Sequence, residues 1–161
     1  MVRLKSRYIL FEVLYPTDLQ DDISSERSRK DILLQHHKAS SAQISTKSIV
    51  QELRRALQYN FGDYGAGRVN SLLQMKYFSN RTSTGIIRCG REDYELVVVA
   101  LTLMNKIDAI EGIILNPVKV SGTIKRIEQH AIRRNERVLA VIQNNREGEH
   151  FKNVSEDDAQ D

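Results

Sequence analysis

The order of strand-like and helix-like segments, β-α-β-β-α-β and then one more helix, predicts an α+β fold: a ferredoxin-like (RRM-like) α/β sandwich on a four-stranded antiparallel sheet. Three observations carry this. Four runs read as strands, the first rich in β-branched and aromatic residues and the third alternating with period two. Two helical patterns separate the first run from the second and the third from the fourth. Pro117 lies in the fourth run, which this topology places at a sheet edge.

The first strand is expected from near Arg3 to just before Pro16, with Arg-Tyr-Ile-Leu-Phe-Glu-Val-Leu-Tyr at its heart. A polar insertion over 16–44 follows, with a short helix around 31–36. The first main helix is expected over 45–61. Ile49, Leu53, Ala56, Leu57 and Phe61 fall on one face, and Gly62 is its stop. Residues 62–67 then form a loop. The second strand runs over 68–79, with Val69, Leu73, Met75 and Tyr77 on one face. Asn80–Ser83 turn the chain, and the third strand, 84–90, sets Ile87 and Cys89 against Ile86 and Arg88. A helix over 92–106 has an apolar middle, Leu96 to Leu101, that is apolar nearly all round. Such a helix is covered on more than one side. The fourth strand is expected over 110–120, edge-placed or bulged at Pro117, and the last helix over 123–142, with Ile124, Ile127, Ala131, Val138, Val141 and Ile142 inward.

The chain of 161 residues is read as one domain, 1–145, with an acidic tail, 146–161, expected to be disordered. From Arg146 onward two basic residues face six acidic ones, so the net charge of +3 hides a more basic body. A basic body points to a polyanionic partner. No run is apolar enough to span a bilayer, so no membrane is expected. Cys89 is the sole cysteine, which excludes an intrachain disulfide and favours an intracellular compartment.

The most telling stretch is Val118 to Glu128, where a strand ends in Ser121-Gly122-Thr123 and a helix opens with Lys125 and Arg126. A helix N-terminus is already partly positive, so two cations there suit a bound phosphate. The alternative is a Thr123 N-cap with two side chains in water. Arg3, Lys5 and Arg7 form a basic stripe into the first strand. In the expected topology this stripe meets the Ser-Gly-Thr turn and Lys119 at one edge. Arg88 and Arg91 extend that edge, or instead pair with Glu92 or Asp93. Arg133, Arg134 and Arg137 read as a solubilising face before a second phosphate face. His36-His37, His130 and His150 lack the company of a metal site, and no metal is expected. Cys89 reads as core, and Asp63, Glu92 and Asp93 as capping acids. No catalytic protein constellation is visible.

Four separated motifs then carry a resemblance: Met1 to Glu12; Gly62-Asp63-Tyr64-Gly65; Thr84 to Cys89 with Arg91-Glu92-Asp93; and Asn116 to Lys125. Over about residues 1–143 the chain resembles the family of the small "Pop five" protein subunit of ribonuclease P and ribonuclease MRP. The resemblance implies a ferredoxin-like accessory subunit that supports the catalytic domain of an RNA-based endonuclease. That particle removes 5′ leaders from precursor tRNA, and its MRP relative processes precursor rRNA. It implies partners: the catalytic RNA, a TIM-barrel-like protein subunit and a second ferredoxin-like small subunit, with precursor tRNA nearby. It places the chain in the nucleus and nucleolus, with Mg²⁺ on the RNA and no cofactor on the protein. The expected RNA contacts are Arg3, Lys5, Arg7, Arg88, Arg91, Lys119, Ser121, Gly122, Thr123, Lys125 and Arg126. The expected protein contacts are Leu96, Val98 and Val99.

Three other functions fit the same fold. An RRM-type single-stranded RNA binder needs exposed aromatics on the central strands, and 84–90 has none. A phosphate-handling enzyme would want a glycine-bearing loop after the first strand, and 16–44 holds no glycine. A small regulatory domain is the third.

Overall fold

A computed structural model describes residues 5–16 and 29–157, with side chains to 143. The elements are β1 (Ser6–Leu14), α1 (Arg29–His36), α2 (Thr46–Asn70), β2 (Gln74–Ser79), β3 (Thr84–Gly90), α3 (Tyr94–Leu103), β4 (Lys106–Ile107), β5 (Ile110–Glu111), β6 (Ile114–Ser121) and α4 (Ile124–Asp157). The main sheet has the order β2-β3-β1-β6 and is antiparallel throughout, the ferredoxin-like arrangement expected.

Two layers cover the sheet. On one face Ile9, Phe11, Val13, Ile87, Cys89 and Leu115 are buried beneath α2 and α3. On the other, Leu10 and Ile86 are buried against Ile127 of α4, with Ala131 and Val118 beside them. β1 is thus buried on both faces, which is why it reads as an almost unbroken apolar run. Pro117 sits on the outer strand β6, and the register against β1 slips between Leu10 and Phe11. Both positions foreseen for a strand proline are therefore realised together.

The structure corrects several boundaries. Gly62 does break α2, with φ 64° and ψ −167°, but 62–67 is not a loop. Helix resumes after the kink and runs to Asn70, burying Gly65, Ala66 and Val69. Residues 68–70 are therefore helical, and β2 begins only at Gln74. Glycine propensity argued against this second segment. Close packing overrides it, since a Cβ on Gly65 would lie 2.4 Å from the Cβ of Phe61. The single face drawn through Met75 and Tyr77 is also wrong. A register shift between these residues turns Tyr77 to the α4 side while Met75 joins the α2–α3 core. The fourth strand starts four residues late, at Ile114, because β4 and β5 form a small hairpin first. The last helix runs to Asp157, into the acidic segment; residues 158–161 lie outside the described ones.

A candidate RNA interface at one end of the sheet

The interface is built by strand register. β1 starts where β3 and β6 end: Ser6 pairs with Gly90, Arg7 with Cys89, and Tyr8 with Ser121. The Arg91 N–H donates to the Lys5 carbonyl at 3.0 Å, which carries the pairing one step past the strand. Lys5, Arg7, Arg88, Arg91 and the Ser121-Gly122-Thr123 turn therefore share one sheet end. Arg3 lies outside the described residues.

Strand alternation distributes these cations around that end. Arg7 leaves β1 on the α2–α3 side, and its guanidinium seats against Gly122, where a Cβ would stand 3.2 Å from Nη1. It donates to the Ser6 carbonyl at 3.3 Å. Arg88 leaves on the α4 side, and its Nε donates to Ser6 Oγ at 3.0 Å. Lys5, Arg91, Lys119, Lys125 and Arg126 are exposed. The turn is closed by Ser121, whose buried Oγ accepts the Thr123 N–H at 3.3 Å. No acidic residue stands in the first turn of α4, so its amides and the two cations add in sign.

The two acids that could have neutralised Arg88 or Arg91 are taken elsewhere. Asp93 accepts from Arg68 at 2.8 Å, with Glu92 at 3.9 Å from the same guanidinium, and Arg68 also donates to the Tyr64 hydroxyl at 3.1 Å. Asp93 stands at the α3 N-cap but makes no side-chain cap bond, so the capping role expected of it is replaced by this pair. Among the described residues no acid pairs with Arg88 or Arg91.

The arginines of α4 divide. Arg134 is neither solubilising nor free for phosphate: it binds the buried carboxylate of Glu12, which also accepts from Asn116 Nδ2 at 2.8 Å and lies 3.6 Å from His37 Nδ1. Arg133 and Arg137 are exposed. His130 lies in their field. Its pKa is held below 6.5, first by partial burial and then by Lys119, Arg134, Arg137 and Arg133. Burial pushes the Cys89 thiol up to about 11, against the opposing pull of Arg7, so Cys89 is core and not a reactive thiolate. No group of three or more metal-ligating side chains occurs among the described residues. None of the described helices is long and apolar enough to cross a membrane.

The Rpp14/Pop5 family model matches residues 7–132, from β1 into α4. The chain belongs to this family. It is 62% identical over 143 residues to the ribonuclease P/MRP protein subunit POP5 of Saccharomyces cerevisiae, covering 88% of this chain and 82% of that protein. It is 42% identical to the protein of the same name from Schizosaccharomyces pombe, over 84% and 88% of the two chains. Ribonuclease P protein component 2 of Pyrococcus furiosus is 33% identical, over 80% and 83%.

The matched region also holds the expected protein-contact face. Val97, Ala100 and Leu101 of α3 are fully buried, while Leu96 and Val98 are half-buried against the same core. Val99 is 44% exposed and Leu103, one turn on, 56%. Leu103 lines a cleft with Tyr59 of α2, itself 90% exposed. Sequence periodicity could not separate Val98 from Val99. Nor did it find Tyr59, because α2 already has a complete inward face without it.

Proposed function

We propose that this chain is a protein subunit of ribonuclease P and ribonuclease MRP particles, binding and supporting the catalytic domain of their RNA. The observation that carries the proposal is the gathering of Lys5, Arg7, Arg88, Arg91 and the Ser121-Gly122-Thr123 turn at one sheet end, in a member of the Rpp14/Pop5 family. Cations on both sides of that end, with the α4 amides between them, suit a phosphate backbone that passes over it. In this reading the RNA and its Mg²⁺ cut precursor tRNA and precursor rRNA in the nucleus and nucleolus, and the protein holds RNA structure. A TIM-barrel-like subunit and a second ferredoxin-like subunit are its proposed protein neighbours, the exposed side of α3 being one surface for them.

A salt titration of RNA binding tests this. Arg7→Ala, Lys125→Ala and Arg126→Ala should each lower the salt slope by about one and weaken binding with little change in sequence preference. The RNA-free wild-type protein should leave precursor tRNA uncut. Three unchanged slopes in folded variants, or cleavage by the protein alone, would sink the reading.

A further inference from the structure

A second cationic surface lies outside the sheet end, along the flank where α2 meets the edge strand β2. An open groove of about 890 Å³, counting the part open to solvent, is lined there by Met75 of the strand and by Thr46, Lys47, Val50, Gln51 and Arg54 of the helix. Val50 and Met75 form its floor; both are half-buried and pack against the core. The exposed lining residues, Thr46, Lys47, Gln51 and Arg54, are all polar. Lys47, Gln51 and Arg54 recur at the four- and three-residue steps of one helix face, and the two cations stand about 10 Å apart along its axis. Among the described residues no acid lines the groove and neither cation is in an ion pair. Glu52 is buried with Arg55 instead, and Asp63 accepts from Gln58.

We propose that this groove is a second contact for RNA phosphates, holding the strand after it has crossed the sheet end. Groove and sheet end adjoin: Met75 follows Gln74, which pairs with Arg88. α2 starts beside Asn80, whose Nδ2 donates to the Ile44 carbonyl at 2.9 Å, and its last turns reach the sheet end, where Arg68 meets Asp93. Counted from the sheet end, Arg54 therefore comes before Lys47. A backbone that leaves Arg88 and rounds the β2 edge meets them in that order. The residue types are those that hold phosphate and sugar: arginine, lysine, an amide and a hydroxyl. No aromatic ring lines the groove, so it has no platform for a base, and the contact carries no sequence preference. An acidic protein segment fits less well. Protein contacts are anchored by apolar and aromatic side chains, and the apolar ones of this groove already pack against the core. The inference rests on the RNA-binding reading above and extends it from one end of the sheet to its flank.

The test is a salt titration of the full chain with oligouridylate strands of about 4 and about 16 nucleotides, the range of site sizes for single-strand binders. In the wild type the longer strand should give the steeper slope, because it reaches from the sheet end into the groove. Lys47→Gln/Arg54→Gln removes both charges and keeps side-chain stems over Val50 and Met75. It should lower the longer strand's slope by about 1.4, two single-strand phosphate contacts at about 0.7 each, and the shorter strand's slope by less. Arg54→Lys should keep the wild-type slope. Lys106→Gln, at an exposed position on the α3 side, should leave it unchanged. An unchanged slope in the folded double variant overturns the proposal, as does an equal fall in Lys106→Gln, which would make the loss one of net charge alone. Should the double variant melt early, the single variants, each expected to lose about 0.7, decide in its place. If Arg7→Ala, Lys125→Ala and Arg126→Ala lower the slope and the groove variants do not, the sheet end stands and the groove falls. If those three leave the slope unmoved, the sheet-end reading fails and the continuous path with it. Loss of a protein neighbour on copurification with the double variant, with RNA slopes intact, would assign the groove to an acidic protein and overturn the proposal too.

Discussion

At the scale of single residues, the two buried glutamates solve the same problem differently. Glu52 is paired with Arg55 one turn along its own helix, so that pair is local. Glu12 is central in the sheet and recruits Arg134 from α4, Asn116 from β6 and His37 from beyond α1. The Glu12 set therefore joins three elements at one carboxylate. Removing Arg134 leaves a buried charge with a single neutral donor and the histidine, a change that costs several kcal/mol in fully buried pairs. Arg134 is partly exposed, so Arg134→Ala should destabilise the protein by about 2 kcal/mol in denaturant unfolding. Glu12→Gln/Arg134→Ala should be more stable than Arg134→Ala alone, because the amide needs no counter-charge. The reverse order would mean that Arg134 acts by packing. Nothing in the sequence announces this pairing. Glu12 and Arg134 stand 122 positions apart, and an arginine among other arginines on a helix reads as solvated surface. The cations of the sheet end were legible for the opposite reason: each lies within a few residues of a strand end that the topology brings together.

At the scale of elements, α2 shows where local propensity misleads. Three glycines in six residues look like a loop, and the strand pattern after them looks continuous. In the structure the three differ. Gly62 has the positive φ that allows the kink, Gly65 lies against Phe61, and Gly67 has open space around its missing Cβ. Gly67→Ala should therefore stabilise the protein by about 0.5–1 kcal/mol, the ordinary gain of alanine over glycine in a helix. Gly65→Ala should destabilise it by about 1–3 kcal/mol, since Phe61 must move to admit the methyl group. Thermal unfolding of the two single variants checks both signs. Equal effects would mean that 63–70 is not a packed helix in solution. β2 carries the companion lesson. Period-two reasoning assigns every second residue to one face, and a single bulge reverses the assignment for all that follow. β3 was read to the residue because nothing interrupts its alternation, and the centre of β1 because its apolar run is almost unbroken.

At the scale of the whole molecule, the described surface holds a charged sheet end and, apart from it, an apolar side around α3. The sheet end uses strand termini and the start of α4; the apolar side uses Val99, Leu103 and Tyr59, which stay exposed among the described residues. Large side chains exposed together in this way suit a protein contact that excludes water, with aromatic residues as its anchors. The two surfaces should then fail independently. Val99→Asp should leave the fold within about 0.5 kcal/mol of wild type, as a surface substitution, while abolishing binding to the protein neighbour. The salt slope for RNA should not move. Val98→Asp is the contrasting control. Its side chain packs against the core, so the charge would be forced against buried apolar groups and the protein should lose stability. Partner binding measured by copurification, next to the salt titration and a melting curve, resolves the three effects. Retained partner binding in a folded Val99→Asp would show that this side of α3 faces solvent in the particle, and the protein contact would then have to lie on another surface.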